Sequence, residues 1–352
     1  MFLIFYRARQ GDLSVVGDMQ KASNQGKIEF NVTLILFVLV FIFSIVFVII
    51  SPNFFTYRNL SRMISNQVII GVLAVAITPL IIARGLDLSF GSCISLTTVI
   101  MAVLYKSGNL SLELIILVGF LFPVLIGFMN GLLSEIFDLN PLILTLGMGA
   151  ILMAFAKVFA GGGRGLPMLT DPLYNLARNS FMGIPYPVII LSAIILLTWF
   201  ILSFSKFGQK TYFLGANPVA AKLSGSKVKK VKILLYVYMG MATGIASILM
   251  VAFSGTGYPY HGENLILPVL SAVFLGGMTL AGGHGNIFNT ILGVIIIAIL
   301  YNGLSLLNLE FYFIRIIQGM ALICIVIIYE PRSRLAFRKL VSAYQAIGKK
   351  KI

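Results

Sequence analysis

Between residues 33 and 329 the chain reads as a succession of apolar stretches. There are ten, at about 33–51, 63–83, 90–106, 113–135, 141–160, 186–205, 231–254, 265–281, 287–306 and 311–329. A helix rises about 1.5 Å per residue, so some 20 apolar residues cross the ~30 Å hydrocarbon core of a bilayer. Backbone amides in hydrocarbon find no water, so an apolar segment of that length is a helix. Composition agrees: 59% of residues are hydrophobic and 11% charged, against roughly a quarter charged in soluble domains. That balance excludes a soluble fold of this size, and it excludes disorder, which requires polar, aromatic-poor sequence. The sequence predicts an all-α polytopic membrane protein of about ten transmembrane helices.

Charge sets the orientation. The net charge is +15, from 26 Lys+Arg and 11 Asp+Glu. With the N-terminus inside and the stretches alternating, 19 Lys/Arg fall inside and 7 outside, a positive-inside pattern. Both rich segments, 206–232 and the tail after Arg332, are then inside, which requires an even number of spans. The expected organisation is a cytoplasmic N-terminal segment 1–32, a membrane domain 33–330 with the basic loop 206–232, and a basic cytoplasmic tail 331–352. Both termini would be cytoplasmic. Met1–Tyr6 is apolar ahead of Arg7 and Arg9, the reverse of a signal peptide. The longest polar connections, 161–185 and 206–230, leave no room for an ATPase or sensor domain. No basic stripe interleaved with aromatics is present, so membrane lipid, not nucleic acid, is the expected environment. Cys93 and Cys324 lie far apart in apolar sequence and form no disulfide or metal pattern.

Gly and Pro interrupt many stretches, at Pro79, Pro123, Gly127, Gly147, Gly149, Gly276 and Gly277. Such breaks are tolerated where protein or a cavity satisfies the freed backbone. The loop Gly208–Lys232 contains no acid. Asn217 and Pro218 are suited to start a helix, and Gly225 is suited to end it in a left-handed cap. Small side chains at Ala216, Ala220 and Ala221 offer a surface on which a partner could close; the alternative is a basic loop that only sets topology. Arg84 and Asp87 lie between two apolar spans in ARGLDLSFGS (Ala83–Ser92), either paired with each other as structural caps or as pathway elements. Leu275–Thr290 is glycine-dense and reads as a tight turn between helices, and Gly161–Gly165 reads as a flexible turn. Tyr258 and Tyr260 belong to an interfacial belt or to an entry mouth. His261 and His284 are isolated, without a second metal ligand at helical spacing. No phosphate-binding loop, zinc-protease motif or nucleophile elbow occurs, so no catalytic residue and no metal site is expected. Asn66, Gln67, Asp87, Ser89, Asn130 and Thr145 are polar groups within or beside apolar runs and are the candidate substrate-pathway residues.

These motifs carry a resemblance. SPNFFT (Ser51–Thr56), ARGLDLSFGS, NPLILTLGM (Asn140–Met148), YFLGANPVAAKLSGSKVKKVK (Tyr212–Lys232), LGGMTLAGGHGNIFNTILG (Leu275–Gly293) and YNGLSLLNLEFYF (Tyr301–Phe313) resemble, in order, the motifs of permeases from bacterial ABC importers for ribose, related monosaccharides and autoinducer-2. The chain departs from that family where Arg84 and Leu86 stand for the usual Gly and Ile, Ala216 for Gly, and Ser226 for Ile. The resemblance implies a cobalamin-importer-like (type II) permease fold in the plasma membrane, paired with a second permease subunit, identical or different. It implies a sugar-binding protein outside and a twin-cassette ATPase inside that carries the ATP and Mg; no cofactor would reside in this chain. Gly215, Ala216, Asn217, Pro218, Ala220, Ala221, Leu223, Ser224 and Gly225 would form the helix that couples to the ATPase. The expected function is a permease subunit for ribose or a related small polar sugar. Few fixed charges line the spans, which favours a neutral substrate. The rivals are a secondary transporter, a branched-chain amino-acid or autoinducer-2 permease, and, last, an intramembrane enzyme.

Overall fold

The computed structural model describes residues 13–323, apart from 226, 280, 308, 311, 318, 321 and 322, and only the backbone of residues 13–31. Residues 1–12, Cys324 and the tail 331–352 lie outside the described residues. Helix α1 spans Leu13–Ile50, α2 Tyr57–Ile82, α3 Phe90–Ser107, α4 Leu112–Ile136 and α5 Pro141–Phe159. A short cap follows, with β1 (Leu166–Pro167), α6 (Asp171–Arg178) and the hairpin β2 (Ser180–Phe181) and β3 (Ile184–Pro185). Then come α7 (Tyr186–Phe204), α8 (Lys206–Ala216), α9 (Pro218–Leu223), α10 (Val228–Ser254), β4 (Thr256–Gly257), α11 (Ile266–Leu275) and α12 (Ile287–Leu306). The chain is an all-α polytopic membrane protein.

Eight of these helices, among the described residues, are long and apolar enough to cross a membrane. They match eight of the ten expected stretches, and of the other two only 265–281 differs from the expectation. The stretch 311–329 lies largely outside the described residues. The stretch 265–281 is no full span: its helix, α11, has 10 residues, about 15 Å or half the hydrocarbon thickness. Gly276 and Gly277 end it, the latter at φ +84°.

Local sequence explains the boundaries. Thr56 caps α2 by accepting from the Asn59 amide, and Asn140 caps α5 from the Leu142 amide with Pro141 at the first turn. At the other end of α2, Arg84 has φ +60°. The Gly85 amide donates to the Leu80 carbonyl and the Arg84 amide to that of Ile81. These bonds form a Schellman motif with Arg84 at the position that favours glycine. That geometry accounts for the glycine the resembling family carries there.

Helix α2 is the core of the molecule, buried along most of its length against α10, α12 and α7. Helices α4 and α10 pack with backbones in contact. A Cβ on Gly127 would strike the Tyr236 carbonyl, and one on Gly240 would strike the Pro123 carbonyl 2.5 Å away. Small residues permit this close approach where lipid offers no hydrophobic drive for association. Helices α1, α5 and α7 expose large apolar side chains such as Phe41, Ile143 and Phe200, as lipid-facing helices do.

The lysines of α8–α10 mark one end of the bundle, here the basic end. Helix α2 runs toward it and α10 away from it. Each is followed by a non-helical stretch, 83–89 and 255–265, and then by a further helix, α3 and α11. The two stretches meet: a Cβ on Gly262 would collide with the Gly91 carbonyl, and one on Gly91 would lie 2.6 Å from that of Gly262. The Gly262 amide donates to the buried Ser95 hydroxyl at 3.0 Å. Strands β1 and β4 pair antiparallel and hold the second stretch at the end opposite the lysines. The order α2, break, α3, α4 thus recurs inverted as α10, break, α11, α12. Inverted repeats with interrupted helices at mid-depth are a construction that transporters use.

Candidate functional site

The sequence candidates fall into three places. The first is at the basic end. Ser205 caps α8 from the Gly208 amide, and Asn217 caps α9 from the Ala220 amide at 3.0 Å with Pro218 next. Gly225, at φ +76°, follows the end of α9. Gly215 is buried with no room for a side chain, since a Cβ would strike the Ile82 carbonyl and lie 2.7 Å from the Gly283 amide nitrogen. That same carbonyl accepts from the Gly283 amide at 2.8 Å. Arg84 closes the junction. Its Nε donates to the Gly215 carbonyl at 2.7 Å and its Nη2 to that of Ala216 at 3.3 Å. The guanidinium thus satisfies the orphan carbonyls at the negative end of α8. Tyr212 donates to the Gly285 carbonyl at 2.8 Å. Segments 82–85, 212–216 and 282–285 are one joined unit.

Two expectations change here. Arg84 does not pair with Asp87; the left-handed turn sends it to α8. Nor do the small residues of α9 all face outward: Ala221 is 1% exposed and packs into the core. The exposed apolar pair is Val219 and Leu223, at 69% and 83%, one turn apart on the same face. Leu223 was among the sequence candidates. Val219 was missed, though its spacing from Leu223 was the available signal. Ser224 and Gly225 are exposed beside them.

The second place is a buried polar network at the start of α3. Asp87 Oδ1 accepts from the Ser89 amide at 2.8 Å and the Ser89 hydroxyl at 2.6 Å. Asn130 of α4 donates to the Ser89 hydroxyl at 2.9 Å. Thr145 of α5 accepts from the Leu88 amide at 3.1 Å, and Tyr236 of α10 donates to the Leu86 carbonyl at 3.2 Å. Three helices therefore hold the extended stretch 86–89, satisfying backbone that the broken helix leaves open. Asn130 Oδ1 is buried without a hydrogen-bond partner. Glu135 and Lys232 pair nearby at 3.0 Å and tie the end of α4 to the start of α10.

The third place is a cavity of about 780 Å³ at the end opposite the lysines. Asn66 and Gln67 line it, with Arg62 on the same helix, Arg178 from α6, Asn264 from the 255–265 stretch, and Arg315. A further cavity of about 90 Å³ shares Asn66, Gln67 and Tyr301 with it. Gln67 is 6% exposed and its Oε1 has no hydrogen-bond partner. The six pathway candidates are therefore two groups. Asp87, Ser89, Asn130 and Thr145 come together, whereas Asn66 and Gln67 line the cavity, with Gln67 about 22 Å along α2 from its end at Ile82, at 1.5 Å per residue. The three arginines carry no motif, and in the sequence they count only toward topology. Among the described residues no three His, Cys, Asp or Glu side chains converge as a metal site would require. His261 Nδ1 faces the Thr98 hydroxyl at 3.4 Å.

Comparison with known proteins adds the following. Residues 59–326 match the family described as branched-chain amino acid transport system / permease component. The chain is 31% identical to the ribose import permease protein RbsC of Bacillus subtilis over 299 residues, 85% of this chain and 91% of the relative. It is 31% identical to RbsC of Escherichia coli K12 over 281 residues, 79% and 87%. It is 30% identical to the autoinducer 2 import system permease protein LsrD of Yersinia enterocolitica over 271 residues, 75% and 81%. No solved structure matches the chain.

Proposed function

The chain belongs to the branched-chain amino acid transport system / permease component family, and from that premise we propose that it is the membrane-spanning subunit of an ATP-driven importer for a monosaccharide. The observation that carries this reading is the joined unit at the basic end. A short helix, α9, presents Val219 and Leu223 to the outside and is fixed through Gly215 and Arg84 to the two interrupted segments of the bundle. A partner that moved α9 would move the interior with it. The lysine-rich end is cytoplasmic in this reading, by the 19-to-7 distribution. A twin-cassette ATPase supplies ATP and Mg there. A sugar-binding protein delivers at the opposite end, into the cavity at Gln67. A second permease subunit completes the pathway, in a type II arrangement in the bacterial plasma membrane. Alternating access follows if the ATPase binds the two conformations of the bundle with different affinity.

The substrate class rests on the ribose and autoinducer 2 import relatives. The test is reconstitution in liposomes with the ATPase and the binding protein. Labelled ribose should enter only with ATP and both partners present. Uptake driven by an ion gradient without the ATPase would replace this reading with secondary transport.

A further inference from the structure

Among the described residues, the charged side chains that line the cavity at the end opposite the lysines are all arginines. Arg62, Arg178 and Arg315 line it, and no acidic side chain among the described residues does. Arg178 lies over the Tyr174 ring, its guanidinium carbon 4.7 Å from the centroid, which orients the planar group. The Arg62 and Arg178 guanidinium groups at this opening raise the potential within it and draw in anions, and their forks match carboxylate and phosphate oxygens. Deeper in, Gln67 keeps an amide oxygen buried without a partner. A buried acceptor left open is rare in folded proteins and is satisfied by a donor such as a hydroxyl. Asn66, Asn264 and Tyr301 add further donors and acceptors around it. The volume, about 780 Å³, is in the range of small-molecule sites.

We propose that this cavity admits a monosaccharide carrying a carboxylate or phosphate, the anion held by Arg62 and Arg178 at the mouth and a sugar hydroxyl donated to Gln67 within. The inference rests on the importer reading and reverses the expectation of a neutral substrate. That expectation came from the spans, which are poor in charge. The arginines sit at helix ends and in the 161–185 connection, where a tally of charges within spans does not find them.

The experiment uses the full chain in phosphatidylcholine nanodiscs, with saturation-transfer NMR of ribose and of ribonate, its carboxylate analogue. Ribonate should bind about tenfold tighter than ribose, the size of one charge-assisted hydrogen bond. Raised salt should remove that advantage and leave ribose binding unchanged. Arg62→Gln and Arg178→Gln should each bring ribonate toward ribose, Arg178→Lys should retain part of the preference, and Gln67→Leu should weaken both sugars. Equal binding of the two sugars by the unaltered chain overturns the proposal without recourse to any variant. A phospholipid headgroup offers the same phosphate, so nanodiscs containing phosphatidylglycerol form a second arm; loss of ribonate binding there assigns the arginines to lipid and also overturns it. ATP-driven uptake of ribose with no uptake of ribonate leaves the importer reading standing and rejects this one.

Discussion

Replacing Arg84 separates two energies that the structure sets against each other. The side chain makes two charge-assisted hydrogen bonds, to the Gly215 and Ala216 carbonyls. Its backbone meanwhile sits at φ +60°, which favours glycine. Arg84→Ala loses the bonds and keeps the strain. At about 1–1.5 kcal/mol net for each bond, the junction weakens by about 2–3 kcal/mol. Arg84→Gly loses the same bonds but relieves about 1 kcal/mol of left-handed strain, so its loss is about 1–2 kcal/mol. The readout is hydrogen exchange at the Gly283 amide, which is bonded to the Ile82 carbonyl inside the junction. Exchange should speed up on the order of 50-fold in Arg84→Ala and about tenfold in Arg84→Gly, since each 1.4 kcal/mol is a factor of ten. In the reconstituted importer, sugar moved per ATP should fall in the same order, while the purified ATPase retains its own turnover. Unchanged exchange in Arg84→Ala would show that the guanidinium holds nothing. An Arg84→Gly variant worse than Arg84→Ala would show that the strain argument has the wrong sign.

Further variants have expected outcomes. Val219→Asp with Leu223→Asp should abolish co-purification of the ATPase while the chain still inserts and folds, whereas Ala221→Trp, which overfills a buried site, should lower the yield of folded protein; a double aspartate variant that retains the ATPase would remove α9 from the docking surface. Gly262→Ala should sharply lower thermal stability in detergent, because its Cβ meets the Gly91 carbonyl. Gly147→Ala, with nothing within 4 Å, should be neutral or stabilising by about 1 kcal/mol. Lys232→Met should destabilise by about 2–3 kcal/mol, because Glu135, 9% exposed, is left as a nearly buried charge; the exchanged pair Glu135→Lys with Lys232→Glu should recover most of that in a denaturation series.

The spans were legible because twenty apolar residues in a row have few ways to satisfy their backbone. The caps at Asn140 and Asn217 were legible because a short polar side chain ahead of proline has a strong local preference. The interrupted crossing was not. Residues 265–281 are as apolar as a full span, and only tertiary contact shows that Gly262 must lie against Gly91 with its amide on Ser95. Arg84 is a similar case. A charge three residues from an acid invites an ion pair, but the Schellman turn at the end of α2 points it at α8, whose place depends on packing over 130 residues away. Ala221 shows the limit of reasoning from size: small residues suit a docking surface and a tight core equally, and only burial separates them.

The same contacts bear on how motion at one end could reach the other. Gly215 and Gly283 leave no space at the Ile82 carbonyl, so α8 cannot shift without displacing the end of α2 or the 282–285 turn. The stretch 86–89 is held by side chains from three helices, so displacement there is passed on to the start of α3. Gly91, at that start, touches Gly262 of the second stretch, whose neighbour Asn264 lines the cavity. The links at the Ile82 carbonyl and between Gly91 and Gly262 are backbone against backbone, where a methyl group does not fit, and packed interfaces of that kind rearrange between discrete states more readily than they deform. Two interrupted segments that cross at mid-depth, one fixed to the basic end and one to the cavity, give the bundle a place where a change of packing alters both openings together.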